Sequence, residues 1–424
     1  MRILYVLPAV KHPLMRGELR HYHFLRILSR RHQVTLLALA RTDVAPEVLD
    51  ELRACTERVV LVDAAPQSEQ GSGRLARLRR RVEKVRRLGR GLAEVREAFR
   101  RTADEGSFDV ALVNGHRMHR AVHGASTLPV VFDMCDAASM RLRQGLRHAR
   151  RAELPWRVFR YWQVRRMEAA FRRTPHLAFI SARDREAVLG AGSQAPIVPN
   201  GVDIEYWRTR GLDRGAHTLV FSGVLDYPPN ADAALYLVTQ VLPLVRRSVP
   251  EVEVVLAGRS PRADLLRASQ VHPGVTVTGY VDDLRPHLER AAVCVAPLRF
   301  ASGMQNKLLE AMAMELPVVT TGIAADGLRV DGERPPVRVG EHAEALASSV
   351  VTLLREPEER RQLGARGRAY VARHFDWERS AAMLEQLCGE AIESGAATRS
   401  APAGAPGVHA FEAVSGEQPG GHTS

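Results

Sequence analysis

Residues Ala291 to Thr321 (AAVCVAPLRFASGMQNKLLEAMAMELPVVTT) constrain the fold more than any other stretch of the chain. Val293–Ala296 read as a short apolar strand closed by Pro297, and Pro317-Val318-Val319 open another buried strand. Between them lie a polar loop and a helix predicted over Gln305–Met314. Short buried strands joined through a helix run parallel in one sheet, with a right-handed crossover. Ser302-Gly303-Met304-Gln305 has the S-x-x-Q form of a capping box at the helix start.

The charges of this segment point to an anion. Lys307 falls near the start of the helix, where the macrodipole disfavours a cation. Free backbone N–H groups, the positive helix end and an ammonium converge there, and a phosphate turns that cost into a binding site. Only three of the 60 Lys+Arg residues are lysines (Lys11, Lys84 and Lys307), so a lysine here is informative. Its compact charge suits a diphosphate. Glu310 is the one charged residue in the apolar run Leu308 to Met314. A carboxylate on such a helix needs hydrogen-bond donors, which sugar hydroxyls supply. The alternative is an i,i+3 Lys307–Glu310 pair on a solvated face, worth only about 0.2–0.5 kcal/mol.

The rest of the chain repeats the strand–helix alternation twice. In the first half, strands are expected at Ile3–Leu7, Gln33–Leu39, Val59–Val62, Val110–Asn114, Val130–Asp133 and Leu177–Ile180, with a long helix from about Ala152 to Arg173. After the turn cluster Pro199-Asn200-Gly201-Val202-Asp203 come strands at Leu219–Phe221, Val252–Ala257, Val275–Val277, Val293–Ala296 and Pro317–Thr320. Helices are expected between them at about Ala231–Arg247, Ala263–Ser269 and Asp283–Ala291. At 424 residues this predicts an α/β chain with two Rossmann-like, doubly wound domains facing across a cleft. The boundaries expected are 1–203, with an Arg-rich helical insertion at 70–105, and 204–374. Helices follow at Glu341–Arg355, Pro357–Arg373 and Trp377–Ile392, and the Gly/Ala/Pro/Ser-rich 393–424 reads as a disordered tail.

Composition excludes several classes. No apolar run approaches a membrane span, and Met1–Leu7 reads as a first buried strand rather than a signal peptide. The four scattered cysteines lack zinc spacing and suit a reduced, cytoplasmic setting. No G-x-G-x-x-G follows the first strand, which argues against a nicotinamide dehydrogenase. Much of the net charge of +12 falls between Arg74 and Arg101. That run reads either as a solvated basic helix or as one drawn to an anionic membrane surface. Without interleaved aromatics or a known motif, nucleic acid is not expected as a partner.

Val198-Pro199-Asn200-Gly201-Val202-Asp203, Phe221-Ser222-Gly223, Tyr227-Pro228-Pro229-Asn230, Leu256-Ala257-Gly258 and Val277-Thr278-Gly279-Tyr280-Val281 together carry a resemblance. Its strongest part is Gly303-Met304-Gln305-Asn306-Lys307-Leu308-Leu309-Glu310-Ala311-Met312-Ala313, with Phe375-Asp376-Trp377 further on. Over about residues 2–392 the chain resembles GT-B glycosyltransferases of the retaining family 4 group. Gly17-Glu18-Leu19-Arg20 and Phe132-Asp133-Met134-Cys135-Asp136 are similar to a bacterial subgroup tied to exopolysaccharide or envelope sugar transfer. The resemblance implies a nucleotide-diphosphate-sugar donor bound by the second domain without a metal, and a last helix, 375–392, crossing back to the first. It implies that Lys307 and the amides of Gly303, Met304, Gln305 and Asn306 hold the diphosphate, and that Glu310 takes the ribose hydroxyls. It further implies that Tyr280 and Val281 border the base, that Gly223 lets a loop approach the phosphates, that Gly17 opens the loop after the first strand, and that His116 lies near the reacting sugar.

Three positions depart from the family pattern: Ser302 where an acid is usual, Gln305 where a base is usual, and Glu315 where glycine ends the helix. A left-handed cap at Glu315 costs about 1 kcal/mol without glycine. The residues leave other assignments open. His116 reads as a helix-start side chain, a cleft histidine, or half of a metal pair with His119 for which no third ligand has motif spacing. Asp133 and Asp136 straddle a strand end, as turn residues or as acceptor contacts. Arg20, His21 and His23 are expected at the surface of an amphipathic helix. The acceptor expected is a lipid-linked or envelope glycan at the inner membrane face, or a small molecule. The rivals are a nucleotide-sugar epimerase of the same fold and a non-catalytic sugar-nucleotide-binding scaffold.

Overall fold

The computed structural model describes residues 1–10, 12, 20–40, 44–63, 74–149, 151–211 and 214–400, without the side chains of 74–88, 116 and 397–400. The first domain contains β1 (Arg2–Leu7), α1 (Arg20–Ser29), β2 (Gln33–Ala40), α2 (Pro46–Cys55), β3 (Arg58–Asp63), α3 (Arg74–Glu105), β4 (Val110–Asn114) and α4 (His116–Val122). It continues with β5 (Val130–Cys135), α5 (Ala138–Leu146), α6 (Leu154–Ala169), β6 (Leu177–Phe179) and α7 (Ala182–Leu189). The second contains β7 (Thr218–Ser222), α8 (Pro228–Tyr236), α9 (Leu242–Arg246), β8 (Glu253–Ala257), α10 (Ala263–Val271), β9 (Val275–Gly279), α11 (Arg285–Glu289) and β10 (Val293–Ala296). It is completed by α12 (Asn306–Ala313), β11 (Val318–Thr320), α13 (Gly322–Asp326), β12 (Arg338–Val339), α14 (Ala343–Arg355) and α15 (Pro357–His374), and α16 (Trp377–Ser400) follows.

The strands form two six-stranded sheets, in the orders β3-β2-β1-β4-β5-β6 and β12-β11-β10-β7-β8-β9. Every pairing between them is parallel. Parallel sheets carry helices on both faces, and the first sheet's side chains divide accordingly. Ile3, Tyr5 and Leu7 pack with Phe24 and Leu28 of α1 and with Ala381, Leu384 and Cys388 of α16. Leu4 and Val6, pointing the other way, pack with Val95 and Phe99 of α3 and Met118 of α4. In both sheets the order reverses at the middle pair, β1/β4 and β7/β10, where open α/β sheets place their ligands.

The two doubly wound domains expected from the sequence are therefore present, and α16 reaches back onto the first. Trp377 stacks on His23 with ring centroids 4.4 Å apart, and Arg31 pairs with Glu378 at 2.8 Å. Gly201 lies against the start of α16, where an added Cβ would stand 2.4 Å from the Trp377 nitrogen. Pro243 has no N–H to donate four residues back, and a π-type turn at Leu237–Val241 separates α8 from α9.

Two expectations need correction. The Arg-rich 70–105 segment is not an insertion: α3 is the crossover helix between β3 and β4, anchored by Val95, Ala98 and Phe99. The side chains of 74–88 lie outside the described residues. The expected disordered tail starts too early, because α16 continues to Ser400; residues 401–424 lie outside the described residues. No described helix is long and apolar enough to cross a membrane.

Candidate functional site

The loops after β7 and β10, at the reversal point of the second sheet, bring Gly223, Asn230 and Lys307 together. Lys307 lies in the first turn of α12 and is only 9% exposed. Its Nζ donates to Asn230 Oδ1 at 2.5 Å and sits 4.4 Å above the Phe221 ring. Burial pulls its pKa from 10.5 down to about 8, against the pull of Cys294 and Glu310 in the other direction. Gly223 packs beneath it: a Cβ there would fall 2.7 Å from Asn230 Nδ2 and 2.9 Å from Lys307 Nζ. Gly258 is constrained as tightly, with the Gly223 carbonyl oxygen 1.7 Å from where its Cβ would stand.

Glu310 lies one turn along the same helix, half-buried, and burial raises its pKa to about 7 even though Lys307 lowers it. The solvated Lys307–Glu310 pair is not formed: no salt bridge joins them among the described residues. No protein donor reaches the Glu310 carboxylate among the described hydrogen bonds either. The site thus presents a buried ammonium and, one turn away, a carboxyl group open to an incoming donor. Tyr280 and Val281 follow β9 at the same sheet edge, with Tyr280 70% exposed.

The helix entry differs from the expected capping box. α12 starts at Asn306, and Ser302 does not cap it. Instead Ser302 Oγ donates to Asp136 Oδ2 at 2.5 Å, and Gln305 Nε2 donates to the Ser302 carbonyl at 3.2 Å. Gly303, at φ +64°, donates its N–H to Asp184 Oδ1 at 3.1 Å and accepts from Arg183 Nη2 at 3.1 Å. Asp184 Oδ1 also accepts from the Ala137 amide at 2.8 Å, so one buried carboxylate ties the loops after β5 and β10 together. The Gly303 amide, expected on a diphosphate, is therefore taken. At the far end of the helix Glu315 adopts φ +54°, the left-handed cap expected without glycine.

Asp133 is not a cleft residue. It is fully buried, and Arg20 grips it with Nε at 2.8 Å and Nη2 at 3.0 Å. Burial alone would raise its pKa; Arg20 outweighs that and holds it below the usual carboxylate range. Arg20 and His21 are correspondingly buried, and His23 lies against Trp377, correcting their expected place at the surface. Arg20 Nη1 donates to Asn200 Oδ1 at 2.9 Å, and Asn200 Nδ2 donates to Asn306 Oδ1 at 2.6 Å. A polar chain thus runs from the end of β5 through the joint to the first residue of α12. Sequence reasoning missed it; its one visible signal was Asn200 within the Pro199–Asp203 turn.

His116 opens α4 after Gly115, at the carboxyl end of β4; its side chain lies outside the described residues. Its proposed metal partner, His119, is enclosed by Phe132, Phe171 and His123, and burial lowers its pKa to about 4. His21, Asp133 and Cys135 do bring ligand atoms within 4.8 Å of one another, but the Arg20 guanidinium already supplies the positive charge there. Gly17 lies outside the described residues.

Residues 216–356 match the family model described as Glycosyl transferases group 1. A phosphatidyl-myo-inositol mannosyltransferase of Propionibacterium freudenreichii is 32% identical over 198 residues, covering 44% of this chain and 48% of that protein. A GDP-mannose-dependent α-(1-6)-phosphatidylinositol monomannoside mannosyltransferase of Mycolicibacterium smegmatis is 27% identical over 165 residues, covering 36% and 43%. The chain thus aligns with less than half the length of each of these relatives. Among solved structures, Anabaena HepE in complex with UDP and glucose superposes with a TM-score of 0.63 at 15% identity, over 92% of this chain and 100% of that one. Sucrose-phosphate synthase from Thermosynechococcus elongatus gives 0.66 at 16%, over 93% and 100%. The chain is therefore a GT-B-fold protein whose second domain is of the glycosyl transferases group 1 type.

Proposed function

We propose that the chain transfers a sugar from a nucleotide-diphosphate sugar to an acceptor hydroxyl, with retention. The observation that carries this reading is the buried Lys307 ammonium facing Gly223, one turn from a carboxyl group with no protein donor among the described hydrogen bonds. A diphosphate supplies the negative charge that the ammonium lacks, and ribose hydroxyls supply the donors that Glu310 lacks. Lys307, with the Asn306 and Lys307 amides at the start of α12, neutralises the departing diphosphate. Stabilising a leaving group in a water-poor pocket is where such a transferase gains most of its rate. Gly223 keeps the floor of the pocket low, and Tyr280 and Val281 flank the base. His116, which follows β4, is assigned a place near the transferred sugar on the resemblance. No metal is assigned a part.

The relatives' names favour a lipid-borne acceptor, one of them with a GDP-mannose donor, and the HepE structure holds UDP. We assign the acceptor to a lipid-linked or envelope glycan at the cytoplasmic membrane face, ahead of a small-molecule metabolite. Ser302, hydrogen-bonded to Asp136, favours a second reading, a binder without turnover. A panel of UDP- and GDP-sugars with lipid and soluble acceptors tests both. Transfer from one donor is the expected result. Donor-induced stabilisation without release of nucleoside diphosphate under any condition leaves the binder.

A further inference from the structure

We infer that α6 seats the first domain on an anionic lipid surface, a partner that stands whether or not the chain transfers sugar. Large apolar side chains are seldom left in water in a contiguous stripe unless something covers them. Along α6, Trp156, Phe159 and Trp162 are 39%, 56% and 63% exposed, and Leu154 just before them is 40% exposed. Their spacing of three places them on one face, and the Trp156 and Phe159 rings stack at 5.6 Å. The same stripe continues through exposed Arg166 to exposed Arg173 just beyond the helix.

The chemistry of this face selects its partner. Its acids are accounted for internally: Glu153 pairs with Arg157 at 2.7 Å, and Glu168 is buried, accepting from the Ser139 amide at 3.0 Å. Exposed arginines 143, 147, 151 and 172 stand around it. Tryptophan and phenylalanine next to arginines that form no ion pair among the described residues are the composition of a helix lying in a membrane interface, rings among the acyl chains and guanidinium groups at the phosphates. A second copy would bring a basic face against a basic face.

The surface is also well placed. α6 packs on α5, with Arg157 Nη1 donating to the Gly145 carbonyl at 3.3 Å. A Cβ on Gly145 would stand 3.5 Å from the Phe300 ring, and the neighbouring Gln144 accepts from the Ala301 amide at 3.0 Å. A docked α6 thus holds the loop leading to Ser302 and α12 close to the bilayer. Of the α3 run, read from sequence either as a solvated basic helix or as one drawn to an anionic surface, Arg96 is turned inward and donates to carbonyls of Ala121, His123 and Gly124.

The full-length protein is mixed with vesicles of phosphatidylcholine alone and of phosphatidylcholine with phosphatidylglycerol, and the bound fraction is read by cosedimentation across a salt series. Binding to the anionic vesicles only, weakening as salt rises, is expected. The Phe159→Ser/Trp162→Ser and Arg166→Glu/Arg173→Glu variants should each lose on the order of tenfold in partitioning. Their circular dichroism and thermal midpoints should match the parent's. Quenching of tryptophan emission by brominated acyl chains in the unaltered protein is the variant-free check. Absence of binding or of quenching overturns the inference, as do variants that bind as well as the parent. A self-associating chain that the aromatic variant makes monomeric, with no vesicle binding, overturns it too and gives the face to a second copy.

Discussion

Replacing Lys307 by methionine should abolish nucleotide binding while leaving the ligand-free protein as stable as before, or more so. The ammonium's pKa falls from 10.5 to about 8 through burial, which corresponds to about 3 kcal/mol spent keeping it charged at neutral pH. Methionine removes that penalty at similar volume but leaves Asn230 Oδ1 without its donor, a loss of about 1–3 kcal/mol. The net is a variant between unchanged and about 2 kcal/mol more stable near pH 7. The pH dependence isolates the cause. Folded Lys307 loses its proton near 8 and the unfolded chain near 10.5. Between these values the unfolded chain holds more protons, so parent stability rises with pH and the variant's advantage shrinks. Urea midpoints of both ligand-free proteins at about pH 7 and about pH 10 supply the comparison, with UDP- and GDP-induced thermal shifts as the binding readout. A variant clearly less stable at neutral pH, an advantage that persists at high pH, or a retained nucleotide shift would refute the reasoning.

Glu310→Gln should weaken nucleotide binding by roughly 10- to 100-fold, the worth of one or two hydrogen bonds to a charged acceptor, as read by calorimetry. It should also remove a stability loss the parent suffers between about pH 4.5 and 7, because the folded carboxyl group titrates higher than the unfolded one. Arg20→Met strands the fully buried Asp133 and should destabilise the protein by about 3–5 kcal/mol in chemical denaturation. Adding Asp133→Leu should recover most of that loss. Glu315→Gly, at φ +54°, should raise the thermal midpoint by the equivalent of up to about 1 kcal/mol without affecting nucleotide affinity.

The architecture was legible because buried parallel strands leave a plain mark. Val110–Asn114 and Val293–Ala296 have the bounds expected from apolar runs between breakers. Lys307 was legible for a different reason, since a lone lysine near a helix start conflicts with the local dipole and asks for an anion. What escaped was set by contacts distant in sequence. Ser302 has a good capping pattern, but the Asp136 carboxylate, 166 residues away in the chain, takes its hydroxyl. Arg20 looked like a surface residue of an amphipathic helix, because nothing nearby shows that Asp133 and Asn200 will surround it. The exposure of the α6 rings was hidden in the same way, because only the fold shows which face α4, α5 and α7 pack against.

The most direct measurement is a crystal structure of the protein soaked with UDP or GDP. The account predicts pyrophosphoryl oxygens within hydrogen-bond reach of Lys307 Nζ and the first-turn amides of α12, over Gly223, with the ribose on Glu310. Nucleotide bound elsewhere, or bound here with Lys307 still closed onto Asn230 and Glu310 untouched, would contradict it.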